Sequence, residues 1–111
     1  MALRPPQSLN SQSRADAGEQ ALQHEVLAEQ ASSLGHAGRR VEATLARLRD
    51  HDAGKLAGAP RETLLSEAAY AVWSFLVQRE LAGMRHQADV IRHYQIPKDV
   101  LYRMGQSPRK S

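Results

Sequence analysis

Ten consecutive residues, Ala68–Val77 (AAYAVWSFLV), constrain this chain more than any other feature, because they are apolar nearly all round a helix. A helix apolar on every side must be covered on every side, as the buried central helix of a bundle is. The run is too short for a membrane span, which needs about 20 residues. It holds the chain's only tryptophan and only phenylalanine, Trp73 and Phe75, so the core should centre there. Extended along the chain, the period resolves into two stripes. Leu65, Ala68 or Ala69, Val72, Leu76 and Arg79 form one, and Tyr70, Trp73, Val77, Leu81 and Met84 form another on a different side of the same cylinder.

A first long helix is predicted from Glu19 to about His51. Ala31, Leu34, Gly38, Val41, Leu45 and Leu48 step by three and four, the narrow stripe of a helical seam, and Leu27 extends it backwards. Glu25, Glu29, Gln30, Arg40, Arg47 and Arg49 lie opposite, acids before bases, in the order that suits the helix dipole. Ala31, Gly35 and Gly38 leave part of the seam almost without side chains. Each internal glycine costs about 1 kcal/mol relative to alanine. Close approach of another helix over this small-residue patch is the preferred explanation, ahead of a hinge.

Asp50–Pro60 reads as a loop, with two glycines, a proline and no period. The second long helix starts at or just after Pro60 and continues through Arg85–Gln95, with Gly83 as a possible bend. Pro97 disfavours helix at Ile96 and opens a short helix, Pro97–Met104, that Gly105 should end. Residues 1–18, with two prolines and little to bury, read as a disordered N-terminal tail. A helical domain over 19–105 and a basic C-terminal tail over 106–111 complete the division.

The pI near 9.7 comes from the ends of the chain. Residues 1–15 carry two basic side chains and no acid, and residues 97–111 carry four against Asp99 alone. Residues 16–96 hold nine basic and eleven acidic side chains, so the part expected to fold is mildly acidic. That distribution does not support a fixed cationic groove for nucleic acid. The absence of cysteine excludes disulfides, thiolate metal sites and cysteine nucleophiles. With neither a secretory signal nor a membrane span in view, a soluble cytoplasmic protein is expected.

Three dense stretches carry a resemblance. ASSLGHAGRRVEATLARL (Ala31–Leu48), EAAYAVWSFLVQRE (Glu67–Glu80) and YQIPKDVLYRMG (Tyr94–Gly105) are similar to A-x-x-L-G-x-A-G-R, W-x-F-x-V-Q-R-E and Y-x-[IV]-P-x-x-V-x-x-R-M-G. Together they resemble a family of small bacterial proteins known only as a domain of unknown function. The resemblance covers about two thirds of the chain and implies a small all-helical domain. It implies no activity.

Candidate chemistry is sparse. His86, Asp89 and His93 share one helix face and could point metal-capable groups the same way, but Arg85 and Arg92 would repel a cation, and a solvated polar face explains the pattern better. His24, His36 and His51 are isolated. Ser66, Glu67 and His86 lack a nucleophile elbow or oxyanion motif, and no Gly-rich phosphate loop is present. No enzyme activity, metal or cofactor is expected. Arg79 falls on an apolar stripe, where a guanidinium must pair or reach outward. A buried ion pair with Glu25, Glu29 or Glu42 is expected.

The fold expected is all-α: a small helical bundle of two long helices plus a short C-terminal helix, completed by dimerisation, because so few helices cannot cover the apolar run alone. Interface candidates are Ala31, Leu34, Gly38 and Val41, or the stripe of Tyr70, Trp73 and Val77. The function expected is a protein–protein interaction or adaptor module acting as a homodimer, with an unknown protein partner. The alternative is a DNA-binding accessory: Gln87–Met104 runs helix, turn, helix, and Arg103 and the basic tail could meet phosphates. Against it, Ile91 stands where the motif wants a small residue and Gln95 where it wants glycine.

Overall fold

The seam and the apolar run both become helix in the computed structural model, which describes residues 7–106 and the side chains of residues 14–105. Four helices follow one another, α1 (Gln7–Asp52), α2 (Arg61–Leu81), α3 (Gln87–Tyr94) and α4 (Lys98–Gln106), with no strand among the described residues. None of them is long and apolar enough to cross a membrane.

Helix α1 begins at Gln7, so Gln7–Gly18, expected within a disordered tail, is helical instead. No proline interrupts it after Pro6, and a helix already nucleated downstream lengthens by one hydrogen bond per residue fixed. Residues 1–6 and 107–111, the rest of the two expected tails, lie outside the described residues. The chain divides into two units, Met1–Ser32 and Ser33–Ser111. In the first, the described part is α1 alone, with every side chain from Arg14 to Ser32 exposed.

The second unit holds the core. Helix α1 contributes Ala37, Val41, Leu45 and Leu48, and α2 contributes Leu64, Ala68, Ala69, Ala71, Val72, Phe75 and Leu76. Val90 of α3, Ile96 and Val100 of α4 close it. The seam Leu34–Leu48 therefore faces α2 of its own chain. This corrects the expectation that Gly38 and Val41 form a dimer interface, since both are buried inside one protomer. The cover that two long helices lack comes from α3, whose Tyr94 meets Phe75, and from α4, which packs on α2.

That cover depends on a break the sequence left open. The second long helix stops at Leu81 and restarts at Gln87. At the stop, Gly83 takes a left-handed φ of 87°, its N–H reaches the Glu80 carbonyl at 3.0 Å, and the Met84 N–H reaches that of Arg79 at 2.8 Å. This pair of bonds satisfies carbonyls that a helix end would otherwise leave bare. The same pair ends α1, where Gly54 (φ 76°) and Lys55 reach the carbonyls of His51 and Asp50. It also ends α3, where Gln95 and Ile96 reach those of Arg92 and Ile91. Gln95 does so at φ 54°, the one non-glycine residue at positive φ among those described.

Prolines mark the starts. Pro60 is the N-cap of α2 and its carbonyl accepts from Thr63 and Leu64. Pro97 stands one place before α4, rather than first within it, and accepts from Leu101. Gly105 does not end α4, which runs on to Gln106.

Candidate interaction surface

Close packing over the small-residue patch holds at one of its two glycines. A Cβ at Gly38 would stand 2.9 Å from the Tyr94 hydroxyl and 3.6 Å from Phe75. At Gly35 it would meet only the guanidinium of Arg39, at 3.4 Å. Helix α1 runs unbroken through both, so neither is a hinge. Gly38, Phe75 and Tyr94 each belong to one of the three stretches that carry the family resemblance. Phe75 and Tyr94 meet edge to face at 5.6 Å between centroids.

Charged side chains tie the helix ends together. Arg61 grips both carboxylate oxygens of Asp52 (2.7 and 3.0 Å) and one of Asp99 (2.7 Å). The guanidinium of Arg61 holds the Asp52 carboxyl below its ordinary value of 3.8, against a smaller opposing effect of burial. The two carboxylates in turn hold Arg61 above its ordinary value. Arg47 pairs with Glu67 at 2.8 Å, and Arg103 pairs with Glu62 and donates to Ser66. The Arg61 pair was not anticipated from sequence: its partners lie nine and 38 residues away and no local spacing announces them.

Arg79 does not sit in the expected ion pair. Its guanidinium carbon lies 5.8 Å from the centroid of the Phe75 ring, and no salt bridge among the described residues includes it. Arg79 is half-buried, and its guanidinium faces the Phe75 ring as a cation over an aromatic face. Arg79 shares a surface recess with Asp89 and His93, two of the three residues considered as metal ligands. Asp89 is paired with Arg92, and the His93 ring packs on Tyr94. Among the described residues no three side chains of metal-ligating type converge.

The second interface stripe has a different fate from the first. Tyr70 is 59% exposed, Trp73 42% and Leu81 79%, and the Tyr70 and Trp73 rings lie 6.0 Å apart. Val77 beside them is half-buried. Of the first stripe, Leu34 is half-buried against the core, and only Ala31 is exposed. The apolar run is therefore covered on all but one side, and that side carries the chain's only tryptophan.

Along the edge of this stripe runs a groove of about 220 Å³ lined by Ser33, His36, Arg40, Tyr70, Ser74 and Gln78, with Ala37 and Ala71 at its floor. Ser33 donates to Gln78 across it at 3.0 Å. Its lining holds a cationic and several neutral polar groups and no acid. The seam's period points away from these α1 positions, so sequence reasoning missed them. In the first unit, Leu22, Val26 and Leu27 are 60%, 51% and 62% exposed and border a shallow recess with Glu19. Leu22 and Val26 were missed too, although their four-residue spacing was the available signal.

These features define a small all-α protein with an exposed aromatic stripe on α2. The chain belongs to the family of unknown function DUF6665, whose model matches residues 1–111. Comparison with curated proteins and with solved structures finds no match.

Proposed function

We propose that the chain is a helical protein–protein interaction or adaptor module that acts as a homodimer. The observation that carries this reading is the exposed aromatic pair, Tyr70 and Trp73, on the otherwise covered apolar run Ala68–Val77 of α2. Tyrosine and tryptophan are enriched at the centres of interfaces, where their large area is desolvated at little entropic cost. Leu81 and Met84 continue the apolar surface beyond them, as expected of a contact face. The proposal assigns no catalytic residue and no cofactor. Light scattering at micromolar concentration should give twice the 12.3 kDa chain mass. A monomer mass with cooperative unfolding would remove the reading.

The second reading, a DNA-binding accessory, is supported by one observation: α3 and α4 form a helix–turn–helix pair whose turn uses the left-handed Gln95. It has less support because Arg103, its candidate phosphate contact, is engaged by Glu62 and Ser66. Helix α4 is only nine residues long. A gel shift read against salt separates the two: sequence-selective binding that survives removal of residues 106–111 would favour DNA over the interaction module.

A further inference from the structure

We infer that the groove and aromatic stripe of one protomer are covered by the acidic helical segment 14–32 of a second copy, each protomer covering the other. The inference rests on the homodimer proposed above and specifies which surfaces meet.

Charge is the first argument. Residues 14–32 carry one basic side chain, Arg14, against Asp16, Glu19, Glu25 and Glu29, a net charge of −3. Residues 33–105 carry eleven Lys and Arg against eight Asp and Glu, a net of +3. Five of those eight acids, Asp52, Glu62, Glu67, Asp89 and Asp99, are already in ion pairs with neighbouring arginines. Arg40, at the groove, is in none among the described residues, and the groove lining offers it no carboxylate. A carboxylate from outside is what this site lacks, and segment 14–32 carries four.

The apolar surfaces match as well. Leu22, Val26 and Leu27 stand exposed on one segment, and Tyr70, Trp73 and Leu81 on the other. Nineteen helical residues span about 28 Å, and Tyr70 to Leu81 spans about 16 Å, so the segment is long enough to lie along the whole stripe. Segment 14–32 has every side chain in water, including Leu22, Val26 and Leu27, so it has apolar area to bury against a partner surface.

Reciprocity is the third argument. A twofold interface requires one chain to carry both halves of each contact. This chain does, and closure leaves neither the acidic segment nor the groove uncovered. An unrelated partner on the groove would leave the segment exposed.

Sedimentation velocity on the full chain, from about 1 to about 100 µM, tests this with exposed-residue variants whose fold is checked by circular dichroism. Arg40→Glu and the double change Glu25→Arg/Glu29→Arg should each weaken the dimer by at least about tenfold, since every dimer contains two such contacts. Combining all three should recover most of the loss, and Leu22→Asp/Val26→Asp should weaken the dimer without recovery by any charge change. If the unmodified chain is dimeric but indifferent to these changes, or if the combination fails to recover it, the segment is not the occupant and the homodimer stands without it. A monomer throughout the range overturns both readings.

Discussion

The hydroxyl of Tyr94 closes over the backbone of Gly38, so near that a Cβ at residue 38 would stand 2.9 Å from its oxygen. The contact brings Tyr94 of α3 onto α1, and the Phe75 ring of α2 stands 3.6 Å from the same Cβ position and meets Tyr94 edge to face. Glycine here trades helix propensity for approach. Its neighbour Gly35 makes no comparable contact.

Gly38→Ala should therefore destabilise the protein. Overpacking of this kind costs about 1–3 kcal/mol and the gained helix propensity returns about 1. The net loss should show as a lower urea midpoint. Tyr94→Phe added to Gly38→Ala should recover part of it by removing the obstructing oxygen. Gly35→Ala should raise stability by about 0.5–1 kcal/mol, because only a flexible arginine end must move.

Gln95 holds the left-handed conformation that Gly54 and Gly83 hold at the other two helix ends of the same kind. A side chain there costs about 1 kcal/mol or more. Gln95→Gly should stabilise the chain by about that amount, and Gly83→Ala should destabilise it, both read from chemical unfolding.

The Arg61 fork makes part of the stability acid-sensitive. Asp52 is held below its ordinary carboxylate value in the folded chain, so its ionised form favours folding. That contribution is complete above the unfolded value and is lost as pH falls below it towards the depressed folded value. The difference in melting temperature between the unmodified chain and Asp52→Asn should therefore be widest above about pH 5 and narrow towards about pH 3. Because Asp52 is exposed, added salt should reduce the difference at every pH.

Leu45 of α1 and Leu64 of α2 belong to one core within the protomer, both almost wholly buried. Truncating either to alanine should cost about 2–5 kcal/mol, through lost transfer energy and the cavity left behind. Calorimetry or urea titration would measure it. A loss under about 1 kcal/mol at Leu45 would mean the α1 seam is not part of the intrachain core.

Much of the architecture was legible in advance. The seam from Leu34 to Leu48, the apolar run and the two prolines located α1, α2 and α4, because side-chain period and proline's missing N–H act within a few residues. The early start of α1 was not, since composition reports what a segment can bury and not whether a neighbouring helix will extend into it. The break after Leu81 was open because Gly83 can continue a helix or end one. What ended it was a pair of carbonyls capped by Gly83 and Met84. For the candidate surface, Tyr70, Trp73 and Val77 were named from the period alone, while the groove residues Ser33, His36 and Arg40 were not.

By itself, the sequence determined that this protein is helical and cysteine-free and that its core runs along the apolar stretch holding Phe75, though Trp73, expected at the centre of that core, stands 42% exposed; its resemblance pointed to the family it belongs to. Only the tertiary structure decided that Gly38 and Val41 are covered by their own chain, that Arg79 lies over Phe75 instead of in an ion pair, and that Tyr70 and Trp73 are what remains open. A period shows which face of a helix avoids water. What covers that face depends on contacts between residues far apart in the chain, and those exist only once the helices have packed.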